Sequence, residues 1–251
     1  MTFRGFFVGK RDQAPVPAPA ARAAGRATDA HTVRAFGDAL DGLIVQVKNM
    51  GQHVAGMVEG CVPVFLDHDM GAAKRLIQSD LETDRKKDAI IAKTLEVLAL
   101  RQPVASDLRL VLAVEHVAGD LERTADHAKN IAKRALALPK GGNLDPAMRE
   151  LMMRLHAAVL HMLIDSLGAF GEGDAALAAE VRRRDHEPDA MYDDLFHAAI
   201  ARLQADSSDA AADVQTLFVG KSLERIGDHA TNIAEEAQFR ARGDLPTATR
   251  S

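Results

Sequence analysis

Apolar residues recur at three- and four-residue steps along most of this chain, which is the period of one face of an α-helix. Two segments show the pattern most clearly, and they place their apolar residues in the same order. The first series is Val117, Leu121, Ala125, Ala128 and Ala132. The second series is Val219, Leu223, Gly227, Ala230 and Ala234. The pattern predicts an all-α protein.

Breaks rich in Pro and Gly divide this pattern into six long helices. The helices are predicted over about 31–68, 70–100, 105–138, 145–170, 174–205 and 208–240. Pro63 bends or interrupts the end of the first helix, and Pro103 ends the second because the residue before a proline is pushed out of helical geometry. Long helices joined by short turns run up, down and up, so each half is predicted to be an antiparallel three-helix bundle.

Composition changes where these bundles begin and end. The segment 1–29 contains the run PVPAPAARAAGRA without an apolar period, so we predict a disordered leader there. Its Phe3, Phe6 and Phe7 would suit a docking or membrane-touching peptide, although an accidental apolar tip is the simpler interpretation. The predicted organisation is the leader at 1–29, a first repeat at 30–139, a second repeat at 144–242 and a disordered tail at 243–251.

An internal duplication supports the division into two repeats. The segment LERTADHAKNIA at 121–132 returns as LERIGDHATNIA at 223–234, matching at nine of twelve positions 102 residues later. The second helix of each half also carries acidic residues at four-residue spacing, and the two series lie 105 residues apart. They are Asp80, Asp84 and Asp88 in the first half, and Asp185, Asp189 and Asp193 in the second.

Composition and charge exclude several functions. Hydrophobic residues make up 47% of the chain and aromatic residues 4%, with no Trp, so the core is expected to be aliphatic. The net charge is −5, and −8 without the first 29 residues, so no basic field is available for nucleic acid. Cys61 is the single cysteine, which rules out an internal disulfide and favours a small core residue. No apolar run is long enough to span a bilayer or to form a signal peptide, and we expect a cytoplasmic protein.

The duplicated motif places two carboxylates on one helical face, because Glu122 and Asp126, like Glu224 and Asp228, are four residues apart. These pairs lie beside the apolar stripe and could face the acidic ladder of the neighbouring helix. Several carboxylates gathered along one seam would not stay ionised without cations. We therefore predict a multi-carboxylate metal site in each bundle, with oxygen ligands suited to Mg²⁺, Mn²⁺, Ca²⁺ or Fe³⁺, and less obviously to Zn²⁺.

The alternative is that these carboxylates are solvated and form surface ion pairs with neighbouring Arg and Lys side chains. A single pair of this kind is most often such a surface feature, but its matched repetition favours the metal site. His127 and His229 follow the two Asp residues and need not share the carboxylate face, so a surface role is favoured for them. Asn130 and Asn232 do share that face and would extend the polar seam or bond to the next helix.

The motifs together resemble the PhoU family of phosphate-uptake regulators. The resemblance covers about 31–240 and rests on RQPVASDLR at 101–109, the two LER-x-x-DHA-x-NIA segments and the Asp ladders. It implies two three-helix bundles related by a pseudo-two-fold axis, often in a homodimer. It also implies metal sites that hold iron or zinc clusters, or single Mg²⁺ or Mn²⁺ ions. The matching positions are Asp80, Asp84, Glu122, Asp126, Asp185, Asp189, Glu224 and Asp228.

The same resemblance implies a non-enzymatic role. Family members repress the phosphate-starvation response by linking the ATP-binding subunit of the phosphate ABC transporter to a membrane sensor histidine kinase, and reach the membrane only through these partners. One rival is an accessory protein of a different phosphate permease. Another is a hydrolytic or oxidative metalloenzyme, which the absence of a mixed His and carboxylate cluster disfavours. Pro188 departs from the pattern, since it predicts a kink between Asp185 and Asp189.

Overall fold

The chain is helical throughout the part that the computed structural model describes, which is 19–138, 144–205 and 209–243, with side chains from residue 34. Seven helices lie in these ranges. They are α1 (Pro19–Leu66), α2 (Met70–Arg101), α3 (Ser106–Ala137), α4 (Pro146–Glu172), α5 (Ala175–Arg183), α6 (His186–Gln204) and α7 (Ala210–Arg242). The all-α prediction is confirmed. None of the helices in these ranges combines the length and the apolar character that a membrane crossing requires.

The chain divides into two units, Met1–Asp38 and Ala39–Ser251, and the packing described below lies within the second. The first unit contains the start of α1, which begins at Pro19 although disorder was predicted as far as 29. Ala is the strongest helix former and Pro suits the first position of a helix, which explains the helix in PAARAAGRA. The Phe residues of the leader, the boundary loop 139–143 and the tail beyond Gly243 lie outside the described residues.

Local signals in the sequence set the ends of the helices. The carboxylates of Asp69, Asp145 and Asp174 each accept two backbone N–H bonds and so cap the first turns of α2, α4 and α5. Gly173 and Gly243 end α4 and α7 with positive φ, a conformation that costs glycine little. These caps account for most of the agreement between predicted and observed boundaries.

The helix predicted over 174–205 is divided into α5 and α6. Pro188 has no N–H, and its ring would clash with the carbonyl of residue 184 in a continuous helix. The chain therefore leaves regular helical geometry at Arg184 and Asp185, where tighter three-residue bonds join Arg184 N to Val181 O at 3.0 Å and Glu187 N to Arg184 O at 2.9 Å. Pro188 then lies in the first turn of α6, where a missing N–H costs nothing. The kink predicted at Pro188 is thus a complete interruption.

Aliphatic side chains fill the interior of both repeats. From residue 39 onward, α1 contacts α2, and α2 packs against α3 in the first repeat, while α4, α5, α6 and α7 form the second. Cys61 is fully buried, as predicted, and burial raises the pKa of its thiol to about 12, so the thiol stays protonated. The core residues buried most completely include Leu43, Met50, Leu121, Ile131, Leu155 and Leu163.

The two repeats meet along α1 with α4 and along α3 with α7. His156 on α4 bonds through Nε2 to the carbonyl of Val58 on α1 at 2.8 Å. His116 on α3 contacts Glu236 on α7, while the other end of α3 carries Arg134, which contacts Gln215 near the start of α7. The order of these contacts shows that α3 and α7 run antiparallel.

Candidate metal centre

Three carboxylates of the second repeat converge where α6 passes α7. Asp189 lies in the first turn of α6, and Glu224 and Asp228 lie one turn apart on α7. A ligand oxygen from each lies within 4.8 Å of the other two. Within the described parts of the chain, no other group of three His, Cys, Asp or Glu side chains meets this condition. We call these three residues the acidic cluster.

Desolvation and mutual repulsion disfavour negative charge in the acidic cluster, although Asp189 is exposed and Glu224 and Asp228 are only partly buried. Desolvation is the main cause that raises the pKa of Asp189, with Glu224 and Asp185 adding to it. Desolvation followed by the charge of Glu224 likewise raises the pKa of Asp228, which Arg225 partly offsets. Lys221 lowers the pKa of Asp189 and Arg225 that of Asp228, but neither cation offsets the desolvation and repulsion.

Glu224 is the most enclosed member of the acidic cluster, with 13% of its side chain exposed. Its Oε1 accepts a hydrogen bond from Lys221 Nζ at 2.6 Å, one turn earlier on the same helix. Its Oε2 is buried and, among the described residues, has no hydrogen-bond partner; Arg225 Nε lies 3.8 Å away. A buried carboxylate oxygen without a donor is costly, so the donor set fits a hard or borderline cation.

Asp185, predicted as a fourth ligand in this repeat, lies apart from the acidic cluster. It occupies the position before α6, where the break at Pro188 has taken it out of line with Asp189. Its Oδ1 accepts a hydrogen bond from Thr231 Oγ1 on α7 at 2.6 Å. Asp185 therefore influences the cluster through its charge, whereas its own oxygen has a protein partner.

The first repeat arranges its predicted ligands differently. Asp80 on α2 and Asp126 on α3 both bind the ammonium of Lys129, whose Nζ lies 2.5 Å from Asp80 Oδ2. Partial burial alone would lower the pKa of Lys129, but the hydrogen bonds to Asp126 and Asp80 raise it to about 12. Glu122 pairs with Lys87 Nζ at 3.3 Å. Asp84, the remaining predicted ligand, does not form a group of three with its neighbours.

A second polar network, at the contact of α3 with α7, was not identified from the sequence. Asp120 is buried and accepts hydrogen bonds from His229 Nδ1 at 2.9 Å and Asn232 Nδ2 at 3.2 Å. The rings of His127 and His229 lie 5.7 Å apart, and burial followed by the charge of His229 lowers the pKa of His127. A cavity of about 320 Å³ opens beside Asp120.

The sequence held one signal for this network. Asp120 stands within the apolar stripe of α3, beside Ala118 and Leu121, and a charged residue at such a position needs a buried partner. Asn232 bonds across to the next helix, which was one of the two roles considered for it. His229, for which a surface role was favoured, has only 12% of its side chain exposed.

Comparisons with known proteins agree with this architecture. A family model described as the PhoU domain matches residues 47–135 and 152–237. The chain is 36% identical over 220 residues to a phosphate-specific transport system accessory protein PhoU homolog of Caulobacter vibrioides, covering 88% of this chain and 95% of that protein. A homolog of the same description from Rhizobium meliloti is 34% identical over 221 residues, covering 88% and 93%.

Two solved structures have the same fold. The crystal structure of PhoU from Pseudomonas aeruginosa aligns with a TM-score of 0.79 at 31% identity, covering 83% of this chain and all of that one. The phosphate transport system regulatory protein PhoU from Streptococcus pneumoniae aligns with a TM-score of 0.78 at 28% identity, covering 84% and 99%. The similarity extends over both repeats.

Proposed function

This chain belongs to the PhoU family, and we propose that it is a cytoplasmic, non-enzymatic regulator that accompanies a phosphate-specific transport system. The observation that carries the proposal is the match of both repeats to accessory proteins of phosphate-specific transport over 88% of the chain. Fold alone would not support a function, since one fold can serve many functions. Here the identity of 34–36% over nearly the whole length adds to the likeness of fold.

We propose further that it represses the phosphate-starvation response by acting as an adaptor. Its partners would be the ATP-binding subunit of the phosphate ABC transporter and a membrane sensor histidine kinase, as in the family that it resembles. The long helices support this role, since they offer wide surfaces for docking. A homodimer of the chain would present each surface twice.

The acidic cluster is the proposed metal site. Asp189, Glu224 and Asp228 would hold the ion, and Fe, Zn, Mn and Mg are the candidates for its identity. The ion would supply positive charge to three carboxylates and link α6 to α7. Lys221 and Arg225 border the same carboxylates and would limit the net charge of the loaded site.

Gene deletion tests the regulatory proposal directly. We expect cells that lack the gene to secrete high alkaline phosphatase activity in phosphate-rich medium, because the starvation response is no longer repressed. The intact gene is expected to restore low activity, and so is a Ser222→Ala variant that changes a surface side chain of α7. Unchanged phosphatase activity after deletion would contradict the proposal and favour a role beside a different phosphate permease.

The metal site can be tested in the same strain. A variant that combines Asp189→Asn, Glu224→Gln and Asp228→Asn keeps the shape of the acidic cluster and removes its charge. If metal is needed for signalling, this variant will accumulate to the normal level without restoring repression. Full restoration of repression by the triple variant would show that the regulatory role does not need the acidic cluster.

A further inference from the structure

The duplication provides a matched comparison between the two acidic regions. Positions on α3 correspond to positions on α7 with an offset of 102, and positions on α2 correspond to positions on α5 and α6 with an offset of 105. The counterparts of the acidic cluster are therefore Asp84, Glu122 and Asp126. These three carboxylates do not converge, whereas the acidic cluster does. The same residue types at matching positions thus have different surroundings.

One position accounts for much of this difference. Lys129 on α3 corresponds to Thr231 on α7, and both reach across to the same place on the neighbouring helix. Lys129 bonds to Asp80, and Thr231 bonds to Asp185, the counterpart of Asp80. The lysine brings a full positive charge to this contact, whereas the threonine brings only a neutral hydroxyl.

The ammonium of Lys129 binds Asp126, one of the three counterparts of the acidic cluster, together with the predicted ligand Asp80. It lies between carboxylates of two helices, Asp80 on α2 and Asp126 on α3, with 19% of its side chain exposed. A nearby second lysine, Lys87, holds Glu122, and its counterpart in the second repeat is Tyr192. Two predicted ligands of the first repeat are thus bound by one lysine, and a third by another.

The cations of the second repeat do not act in this way. Lys221 reaches Glu224 along the same helix, and 44% of its side chain is exposed. Arg225 also pairs with its own helix, at Asp228, and is 54% exposed. Neither joins α7 to Asp189, and the Oε2 atom of Glu224 keeps no hydrogen-bond donor among the described residues.

We propose that Lys129 is a built-in cation that closes the acidic region of the first repeat, so that the chain binds metal through its second repeat alone. This inference rests on the metal site proposed above and differs from the two sites expected from the family resemblance. A lysine cannot dissociate, so the first repeat holds its α2 and α3 contact permanently. The second repeat instead holds α6 to α7 in proportion to the metal supply.

Binding of Mn²⁺ to the full-length protein tests which repeat takes the metal. The protein is first stripped with chelator, and bound Mn²⁺ is then measured by equilibrium dialysis. We expect Asp228→Asn to lower Mn²⁺ affinity at least about tenfold, and Asp126→Asn, at the matching position of the first repeat, to leave it unchanged. Equal losses in the two variants would overturn the proposal.

Exchange of the two matched residues tests Lys129 itself. We expect Lys129→Thr, alone or together with Lys87→Tyr, to double the Mn²⁺ bound per chain. Thr231→Lys is expected to abolish Mn²⁺ binding. Lys129→Thr should also lower the melting temperature in chelator, with recovery on addition of Mn²⁺, a recovery that a purely structural lysine would not give. Thermal unfolding of each variant verifies that it folds.

The possible outcomes separate this inference from the proposals on which it rests. No additional Mn²⁺ on Lys129→Thr, with or without Lys87→Tyr, would overturn the role of Lys129. No Mn²⁺ on the unmodified chain, together with Mn²⁺ on Lys129→Thr, would overturn the site in the second repeat and support the role of Lys129. The phosphatase phenotype of the deletion strain reports on regulation independently of both measurements.

Discussion

The neighbours of each carboxylate in the two acidic regions decide whether its charged or its neutral form is favoured. In the second repeat, burial and Glu224 raise the pKa of Asp189 and of Asp228. In the first repeat, the positive ammonium of Lys129 balances the negative carboxylates of Asp80 and Asp126. When metal is absent, the charged form of Asp228 therefore destabilises the fold, whereas the charged form of Asp126, at the matching position, stabilises it.

Asp228→Asn is accordingly expected to stabilise the metal-free protein while it weakens metal binding. Because the folded state raises the pKa of Asp228 above its ordinary value of about 4, the fold binds this proton more tightly than the unfolded chain does. The carboxylate therefore destabilises the fold increasingly as pH rises above that value. At pH 7 in chelator we expect the melting temperature to rise by about 1–2 °C, a modest change because the side chain is 42% exposed.

Thermal unfolding between pH 3.5 and pH 7, monitored by circular dichroism, measures this effect. The difference between the variant and the unmodified chain should shrink toward the acidic end (about pH 3.5), where Asp228 is protonated in the folded state and mostly protonated in the unfolded chain. Asp126→Asn is the matched control and should lower the melting temperature at pH 7, because it breaks an ion pair with Lys129. A lower melting temperature for Asp228→Asn at pH 7 in chelator would contradict the argument.

Among the helices, α7 carries two glycines where α3 carries alanines. Gly220 and Gly227 correspond to Ala118 and Ala125. A Cβ atom at Gly227 would lie 3.2 Å from Pro188 Cγ on α6, and one at Gly220 would lie 2.7 Å from Leu195 Cδ2. The proline that divides α5 from α6 thus brings a rigid ring against α7, and glycine opposite it makes room.

Gly227→Ala is expected to destabilise the second repeat by about 1 kcal/mol net. Overpacking against a ring that cannot rotate costs about 1–3 kcal/mol, which exceeds the gain of about 1 kcal/mol in helix propensity. The measurement is the urea concentration at the midpoint of unfolding. Gly119→Ala on α3 serves as the control, since a Cβ there meets nothing within 4 Å, and it should stabilise by about 0.5–1 kcal/mol. Equal stabilisation by both variants would show that α6 yields to the added methyl group.

Within the unit from Ala39 onward, the two repeats are joined by polar as well as apolar contacts. Asp120 connects α3 to α7 through His229 and Asn232, and His116 contacts Glu236 along the same pair of helices. Glu236 Oε2 is a buried oxygen without a partner among the described residues, and burial raises the pKa of this side chain. Movement of one repeat against the other would have to break these contacts, so they oppose independent motion of the repeats.

Asp120→Ala is expected to lower the free energy of unfolding by about 1–3 kcal/mol, because it leaves donors of His229 and Asn232 without an acceptor in a largely buried place. Loss of the link between repeats should also broaden the urea transition. Ser222→Ala at the matching position is the control, since the hydrogen bond that Ser222 makes among the described residues goes to the Phe218 carbonyl of its own helix. Similar effects of the two variants would argue against a link at Asp120.

Periodicity and duplication were sufficient to predict the helical fold, and Pro and Gly positions predicted most helix ends, because these signals act between neighbours in the chain. Asp189, Glu224 and Asp228 were also among the eight metal candidates, since spacing places carboxylates on one helical face. The helix at 19–29 was missed because low apolar content outweighed the helix propensity of Ala in the prediction.

Which carboxylates converge, and which are bound by lysine, follows from the packing of the helices. Whether Lys129 points to solvent or reaches Asp80, 49 residues away, depends on the rotation and spacing of α2 and α3. The meeting of Asp120 with His229 likewise depends on which faces of α3 and α7 are in contact. Local patterns in the chain were enough to predict the helices and the number of charged side chains. Packing determined the partner of each charge, because contacts between helices join residues that no local pattern relates.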